Sequence, residues 1–171
     1  MAAAIGTPGR ERRPSRVAIR CASAALLLAT HTAAAGPPAA LQSSLHEAGG
    51  RPDLLYVVLF SLPDCPYCVA VRQAYLPALP DDPRFGERVR IREVGIGSTK
   101  QLVDFDGQKA SHADVARRLK VKFAPTVLFL DAGGQPRAEP LLGGDSVGFY
   151  GGYLEKRVMQ ALEAIPRARR D

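Results

Sequence analysis

The sequence predicts an α/β domain, on three observations. A continuous apolar run, Leu54 to Phe60, leads through a short loop into a helical pattern. A later apolar run, Phe123 to Leu130, carries a proline at its mouth and a glycine turn at its end. Segments with helical spacing of apolar residues follow each of them. Strand and helix patterns that alternate along one chain belong to a sheet flanked by helices.

Gly36 to Asp53 opens with Pro37-Pro38 and closes with Gly49-Gly50-Arg51-Pro52. Between these breakers, Ala39 to Ala48 is expected as a short helix, with Leu41 and Leu45 one turn apart and His46 exposed. Leu54 to Phe60 lacks alternation, so it is expected as a strand buried on both faces. Ser61-Leu62-Pro63-Asp64 is the loop that follows. The helix after it carries Val69, Val71, Ala74, Tyr75 and Leu76, and Pro77 kinks or ends it. Pro80-Asp81-Asp82-Pro83 is a turn. Arg88 to Val94 largely alternates polar and apolar residues, which predicts a half-buried strand.

Gly95 to Ala110 is polar and reads as irregular, with a turn at Asp106-Gly107. Ser111-His112-Ala113-Asp114 has the spacing of a capping box, with Val115, Leu119 and Val121 on the buried side of the helix it opens. His112 reads as a surface residue of the first turn. The proline-led strand then runs from Phe123 to Asp131, because proline in a sheet is confined to strand starts, edges and bulges. Ala132-Gly133-Gly134-Gln135 predicts a hairpin, and Arg137 to Leu142 the returning edge strand, interrupted by Pro140. The last helix is expected from about Phe149 or Tyr153 to Ile165, with Tyr153, Leu154, Val158, Leu162 and Ile165 on its core side. Arg167, Arg169 and Arg170 form a loose tail.

The chain has 171 residues and a formal charge of +6, unevenly placed. Residues 1–35 contain five arginines against Glu11, a net +4, and the remainder is at +2. The basic pI thus gives little support to a nucleic-acid partner. Arg117, Arg118, Lys120 and Lys122 cluster, but as a solvated helix face. Residues 1–35 read as an export signal. A basic region ends at Arg20, an apolar stretch runs from Cys21 to Ala29, and Ala33-Ala34-Ala35 offers a cleavage site before Gly36. That stretch is too short to span a bilayer comfortably. Arg12-Arg13 leaves the twin-arginine route open beside the general one. Residues 36–171 form the domain.

Cleavage would leave two cysteines, Cys65 and Cys68, in Cys65-Pro66-Tyr67-Cys68. Residues i and i+3 of a first helical turn share a face, so the two sulfurs can bond. Pro66 sits where a missing N–H costs nothing. The free N–H groups of the helix start favour a thiolate, the attacking species in thiol–disulfide exchange. Cys65 is accordingly expected to be more acidic than a free thiol. A staple closing so short a loop restrains the unfolded chain least, so a redox role explains the pair better.

The order strand, Cys-x-x-Cys, helix, strand, helix, proline-led strand, hairpin strand, helix resembles the thioredoxin fold over about residues 38–166. Cys65-Pro66-Tyr67-Cys68 and Ala124-Pro125 carry the resemblance. The Pro-Tyr pair is similar to the glutaredoxin active site. The leader, the long segment before Ser111 and the Phe149 to Leu154 tail look like exported thioredoxin-like proteins, including those that serve sulfur oxidation. The resemblance implies a central mixed sheet of about four strands flanked by helices. It implies Cys65 as nucleophile, Cys68 as resolving thiol, and a cis bond before Pro125. Pro66, Tyr67, Ala124 and Pro125 would border the substrate, with the backbone of Ala124 pairing to it. The chain departs from the family at two positions. Asp64 stands where thioredoxins carry a tryptophan, and Leu59 where they carry a buried carboxylate.

The function implied is thiol–disulfide exchange outside the cytoplasm, in the periplasm, on protein or small-molecule disulfides. Reduction is favoured, fed by a membrane thiol donor. A dithiol oxidase or isomerase, and a module in which both thiolates hold Cu(I), stand as alternatives. A fold-only protein with an inert disulfide is the blandest reading. No motif calls for a flavin, nucleotide or other cofactor. No metal site is assigned, since His46 and His112 lie far along the chain from the cysteines.

Overall fold

The computed structural model describes residues 41–145 and 148–168. The expected leader at 1–35 and its expected cleavage site, the start of the segment at 39–48, and Arg169 and Arg170 lie outside them. Among the described residues no helix is long and apolar enough to cross a membrane.

The apolar run becomes the central strand β1 (Leu55–Ser61), in which every residue is buried. Its two faces feed two cores. Leu55, Val57 and Leu59 pack in one cluster, and Tyr56, Val58 and Phe60 in the other. Burial on both faces is why the run lacks alternation. β2 (Val89–Gly95) lies parallel to β1, and β5 (Thr126–Asp131) antiparallel on its other side. β6 (Leu141–Leu142) pairs antiparallel with β5. The sheet is therefore mixed and four-stranded, ordered β2-β1-β5-β6, as the resemblance implies.

Helix α1 (Pro66–Ala70) runs directly into a π-helical turn, Val71–Tyr75, and the helical path stops short of Pro77. The wider turn places Cys68, Val71 and Leu76 inward. Val69 and Ala74 are exposed. α3 (Tyr150–Ala164) covers the same sheet face through Tyr150, Leu154, Val158 and Ala161, with Ile165 just beyond. Tyr153, expected in that row, is exposed instead, because the inward arc starts one turn earlier at Tyr150. Arg88 closes the far end of α3 by donating to the carbonyls of Leu162 and Ile165.

Several expectations fail for identifiable reasons. Residues 41–48 form no helix; they run along the edge of β2. Glu93 N–H donates to Gln42 O and Leu45 N–H to Val103 O, so the segment covers an otherwise open strand edge. Arg92 is buried there, its guanidinium over the Tyr56 ring and donating to Ser44 O, so β2 is covered on both faces rather than half-buried. Gly95 to Ala110 is not irregular. It holds a hairpin of β3 (Gln101–Val103) and β4 (Lys109–Ser111), turning at Asp106-Gly107, with Gly107 at positive φ. The returning strand shrinks to β6 because Pro136 and Pro140 leave few pairing N–H groups; only Arg137 N–H reaches Phe129 O before it. The hairpin turn at 132–135 is held by Asp131, whose Oδ1 accepts from Gly133 and Gln135 N–H.

α2 (His112–Arg118) opens as predicted, with the Ser111 hydroxyl accepting from Asp114 N–H. His112 is not a surface residue; it is 8 % exposed, and its Nδ1 accepts the Gly95 N–H at 3.0 Å. Burial, then the Lys100 charge, lower its pKa from the ordinary value, against a smaller opposing pull from Glu93. A lowered folded pKa means that the unfolded chain binds the extra proton more readily. The stability contribution is complete above the free value of about 6.5 and fades as pH falls through it toward the folded value. We expect the melting temperature to drop over that window, and His112→Gln, which keeps an acceptor but no proton site, to flatten the drop. A wild-type profile level from neutral pH to below the folded value would refute this.

Candidate functional site

The sheet register brings the two motifs to one end of the fold. Phe60 pairs with Thr126, so the loop leaving β1 and the entry to β5 lie side by side. Cys65 comes from the first and Pro125 from the second. The Ala124–Pro125 bond is cis. Pro125 is buried and its carbonyl accepts from Gly143 N–H at 2.8 Å, while Thr126 Oγ1 donates to Phe123 O. Ala124 is half-buried beside them.

Cys65 and Cys68 form a disulfide with a Cα–Cα distance of 5.2 Å. Their surroundings are unequal. Cys65 is the N-cap of α1, half-buried, and its Sγ accepts the Cys68 N–H at 3.2 Å. Cys68 is wholly buried. Pro66 occupies the first turn and is exposed, as is Tyr67. Asp64 precedes the pair with φ of 54°, a left-handed conformation that a short acidic residue tolerates better than most. The geometry thus gives one sulfur an opening to solvent and a donor for its charge, and keeps the other behind it.

The rim of the site comes from residues that sequence reasoning did not single out. Gly144, just past β6, has no room for a side chain: a Cβ there would sit 2.9 Å from Tyr67 Cβ and Cδ1. Tyr67 therefore lies against the backbone after β6. Tyr75 donates to Asp145 Oδ2 at 2.5 Å, and this bond raises its pKa. The Tyr75 ring contacts Tyr150 at 4.9 Å, and burial raises the Tyr150 pKa as well. Leu62, Tyr67, Phe123 and Leu142 are all exposed, on the loops and strand end that meet at this end of the sheet, and form an apolar collar there.

A second group joins the end of β1, β2 and the π-helical turn that follows the cysteines. Glu93 accepts from Ser61 Oγ at 2.6 Å, and Arg72 donates to both its oxygens, 2.9 Å for the Nε bond. The hydrogen bond to Glu93 raises the Arg72 pKa. One signal of Glu93 was present in the sequence. It continues the Val89–Ile91 phase of β2, where another apolar residue would extend the core face.

Among the described residues no group of three or more His, Cys, Asp or Glu gathers as metal ligands. Only after reduction would the two cysteines offer thiolates to a soft ion.

No curated protein matches the chain. Among solved structures it is similar to the Malassezia sympodialis thioredoxin Mala s 13, at 18 % identity and TM-score 0.47, over 77 % of this chain and 99 % of that one. It is similar to the periplasmic thioredoxin SoxS of Paracoccus pantotrophus in reduced form, at 18 % identity and TM-score 0.42, over 63 % and 98 % of the two chains. It is similar to the oxidised C-terminal domain of Neisseria meningitidis DsbD, at 17 % identity and TM-score 0.46, over 69 % and 99 %. A model of the thioredoxin-like domain matches residues 41–157, most of the chain, with both cysteines and Pro125 inside it. The chain therefore belongs to the thioredoxin-like domain family, with a Cys-x-x-Cys thiol–disulfide redox centre at Cys65 and Cys68.

Proposed function

We propose that the protein is a thiol–disulfide oxidoreductase that reduces disulfides of partner proteins outside the cytoplasm. The observation that carries this is the asymmetry of the pair: an accessible N-cap sulfur holding an N–H donor, and a buried one behind it. The Cys65 thiolate attacks a substrate disulfide, forms a mixed disulfide and expels one substrate thiolate, which takes a proton. Cys68, losing its own proton, then attacks Cys65 Sγ. The second substrate thiolate leaves and the Cys65–Cys68 bond is restored. Two electrons pass to the substrate, and a dithiol donor at a membrane returns them. Pro66, Tyr67, Ala124 and Pro125 border the path of the substrate chain.

Protein disulfides suit the site better than small charged ones, because the collar of Leu62, Tyr67, Phe123 and Leu142 is apolar. The basic leader, its apolar stretch and the small residues before Gly36 support export and cleavage near Ala35.

The direction is tested by supplying dithiothreitol and insulin. Insulin reduction well above the dithiothreitol background is expected. Failure there, together with rapid oxidation of reduced ribonuclease by the disulfide form, would make the protein an oxidase. The collar is tested by Tyr67→Ser with Phe123→Ser. This double variant is expected to raise KM for insulin roughly tenfold, since buried aromatic anchors dominate such contacts. It should leave the rate with a small aromatic disulfide nearly unchanged; equal losses on both substrates would count against protein docking.

A further inference from the structure

The ion pair of Arg72 and Glu93 is more buried than a surface brace requires. The Arg72 side chain is 22 % exposed and the Glu93 side chain 16 %. Its position follows from the elements. Glu93 is the register partner of Leu59, on the sheet face that α1 and the π-helical turn cover. Arg72 is four residues after Cys68, one turn along the same face. Ser61, the last residue of β1, donates to Glu93 from the loop side. The other charged groups at this end have their own surroundings. Asp64 is exposed in the loop, and Asp145 is engaged with Tyr75 and Gly148 N–H. His112 and Lys100 lie beyond the end of β2, with His112 bonded to Gly95.

We propose that Arg72 and Glu93 are positioning residues for the redox step, a balanced pair of charges that sets the reduction potential of the Cys65–Cys68 couple. The inference rests on the reading that this couple cycles. Reduction of the bond by a dithiol takes two electrons and, when one sulfur stays a thiolate, one proton; the donor becomes a disulfide. The charge that appears is negative and sits on a sulfur at the start of α1. A cation further along the same helical path, Arg72 lying one turn beyond Cys68 and about two beyond Cys65, stabilises it, and an anion beside that cation destabilises it. With both present and hydrogen-bonded, their effects oppose. With one removed, the other acts alone in a site mostly shielded from water, where screening by salt is weak.

The two single variants should therefore move the couple in opposite directions. Glu93→Gln leaves Arg72 uncompensated and favours the reduced form. The equilibrium constant against glutathione should shift about tenfold toward the dithiol, close to 30 mV. Arg72→Met leaves Glu93 uncompensated and should shift it about tenfold the other way. The double variant should return to within about threefold of wild type although the brace is gone, and Arg72→Lys, which keeps the charge, should stay equally close. A merely structural pair predicts something different: lower melting temperatures in all of them, with potentials unmoved or moved in one direction. Either of those outcomes overturns the proposal. If Arg72→Met does not fold, Glu93→Gln against Arg72→Lys still separates the two readings, since only the first changes the balance.

These potentials are read by equilibration with glutathione and need no turnover. Shifts of opposite sign in a protein that reduces no insulin would uphold the charge pair and remove the proposed function. Insulin reduction with unmoved potentials would do the reverse.

Discussion

The Cys65→Ser variant is expected to lose disulfide reduction almost completely, falling to the dithiothreitol background, a loss on the order of 10³-fold or more. The chemistry leaves no substitute. A serine hydroxyl is not ionised near neutral pH, and oxygen cannot carry the electron pair through a mixed disulfide. Cys68 cannot take over, because its sulfur is wholly buried while Cys65 stands in front of it as the N-cap. The complementary variant, Cys68→Ala, should still attack but fail to resolve. It is expected to accumulate a covalent adduct whose mass equals enzyme plus substrate. Stability provides the control. The disulfide spans a separation of three residues, so its loss restricts the unfolded chain little, and the melting temperature should change far less than the activity. Exchange undiminished in Cys65→Ser would end the reading of this pair as the working centre. Titration of Cys65 in the reduced protein is a second check: it should ionise below about 8.5, the free-thiol value.

How much of this was legible in the sequence depends on the range of the interactions involved. The cysteine pair, the helix it opens and the proline-led strand are local patterns and are found in the order read, although the strand begins at Thr126 rather than Phe123 and the helix widens into a π-helical turn after Ala70. The core of β1 was legible because a strand covered on both faces shows itself as an unbroken apolar run. The β3–β4 hairpin was not, because its strands are short and polar, and only Leu102 of β3 is buried. Residues 41–48 were misread because Leu41 and Leu45 suit a helix by spacing. What holds that segment extended is the edge of β2, which lies far along the chain. His112 was misplaced for the same reason: its partner is a backbone N–H on another element. Around the site, Ser61, Arg72 and Glu93 come from three different elements, and local periodicity offered only one hint, a charge in the apolar phase of β2. Gly144 gave none. Its need to be glycine arises from the Tyr67 ring that lies against it.

The largest effect on stability is expected at Phe60. Phe60→Ala should destabilise the fold by about 3–5 kcal/mol, because removing a buried aromatic ring loses its transfer energy and leaves a cavity that the surroundings fill only in part. Phe60 is fully buried in the central strand, in a cluster with Val94, Val115 and Val121. Strands on both sides of β1 limit how far the backbone can collapse into the space. Against a total of roughly 5–15 kcal/mol for an ordinary domain, such a loss leaves a marginal protein. The effect should reach the site as well. Phe60 pairs with Val94 on one side and with Thr126 on the other; it lies one residue before the end of β1, and Thr126 follows Pro125 directly. A slack position there loosens both walls of the redox centre together. Reductase activity of the folded fraction should therefore fall in Phe60→Ala, whereas Val158→Ala, in the other cluster beneath α3, should cost stability with less loss of activity. Chemical denaturation gives the first quantity, and insulin turnover well below the melting temperature gives the second. Parallel losses of activity in the two variants would show that the sheet end tolerates slack at Phe60 and that the site is held by α1 alone.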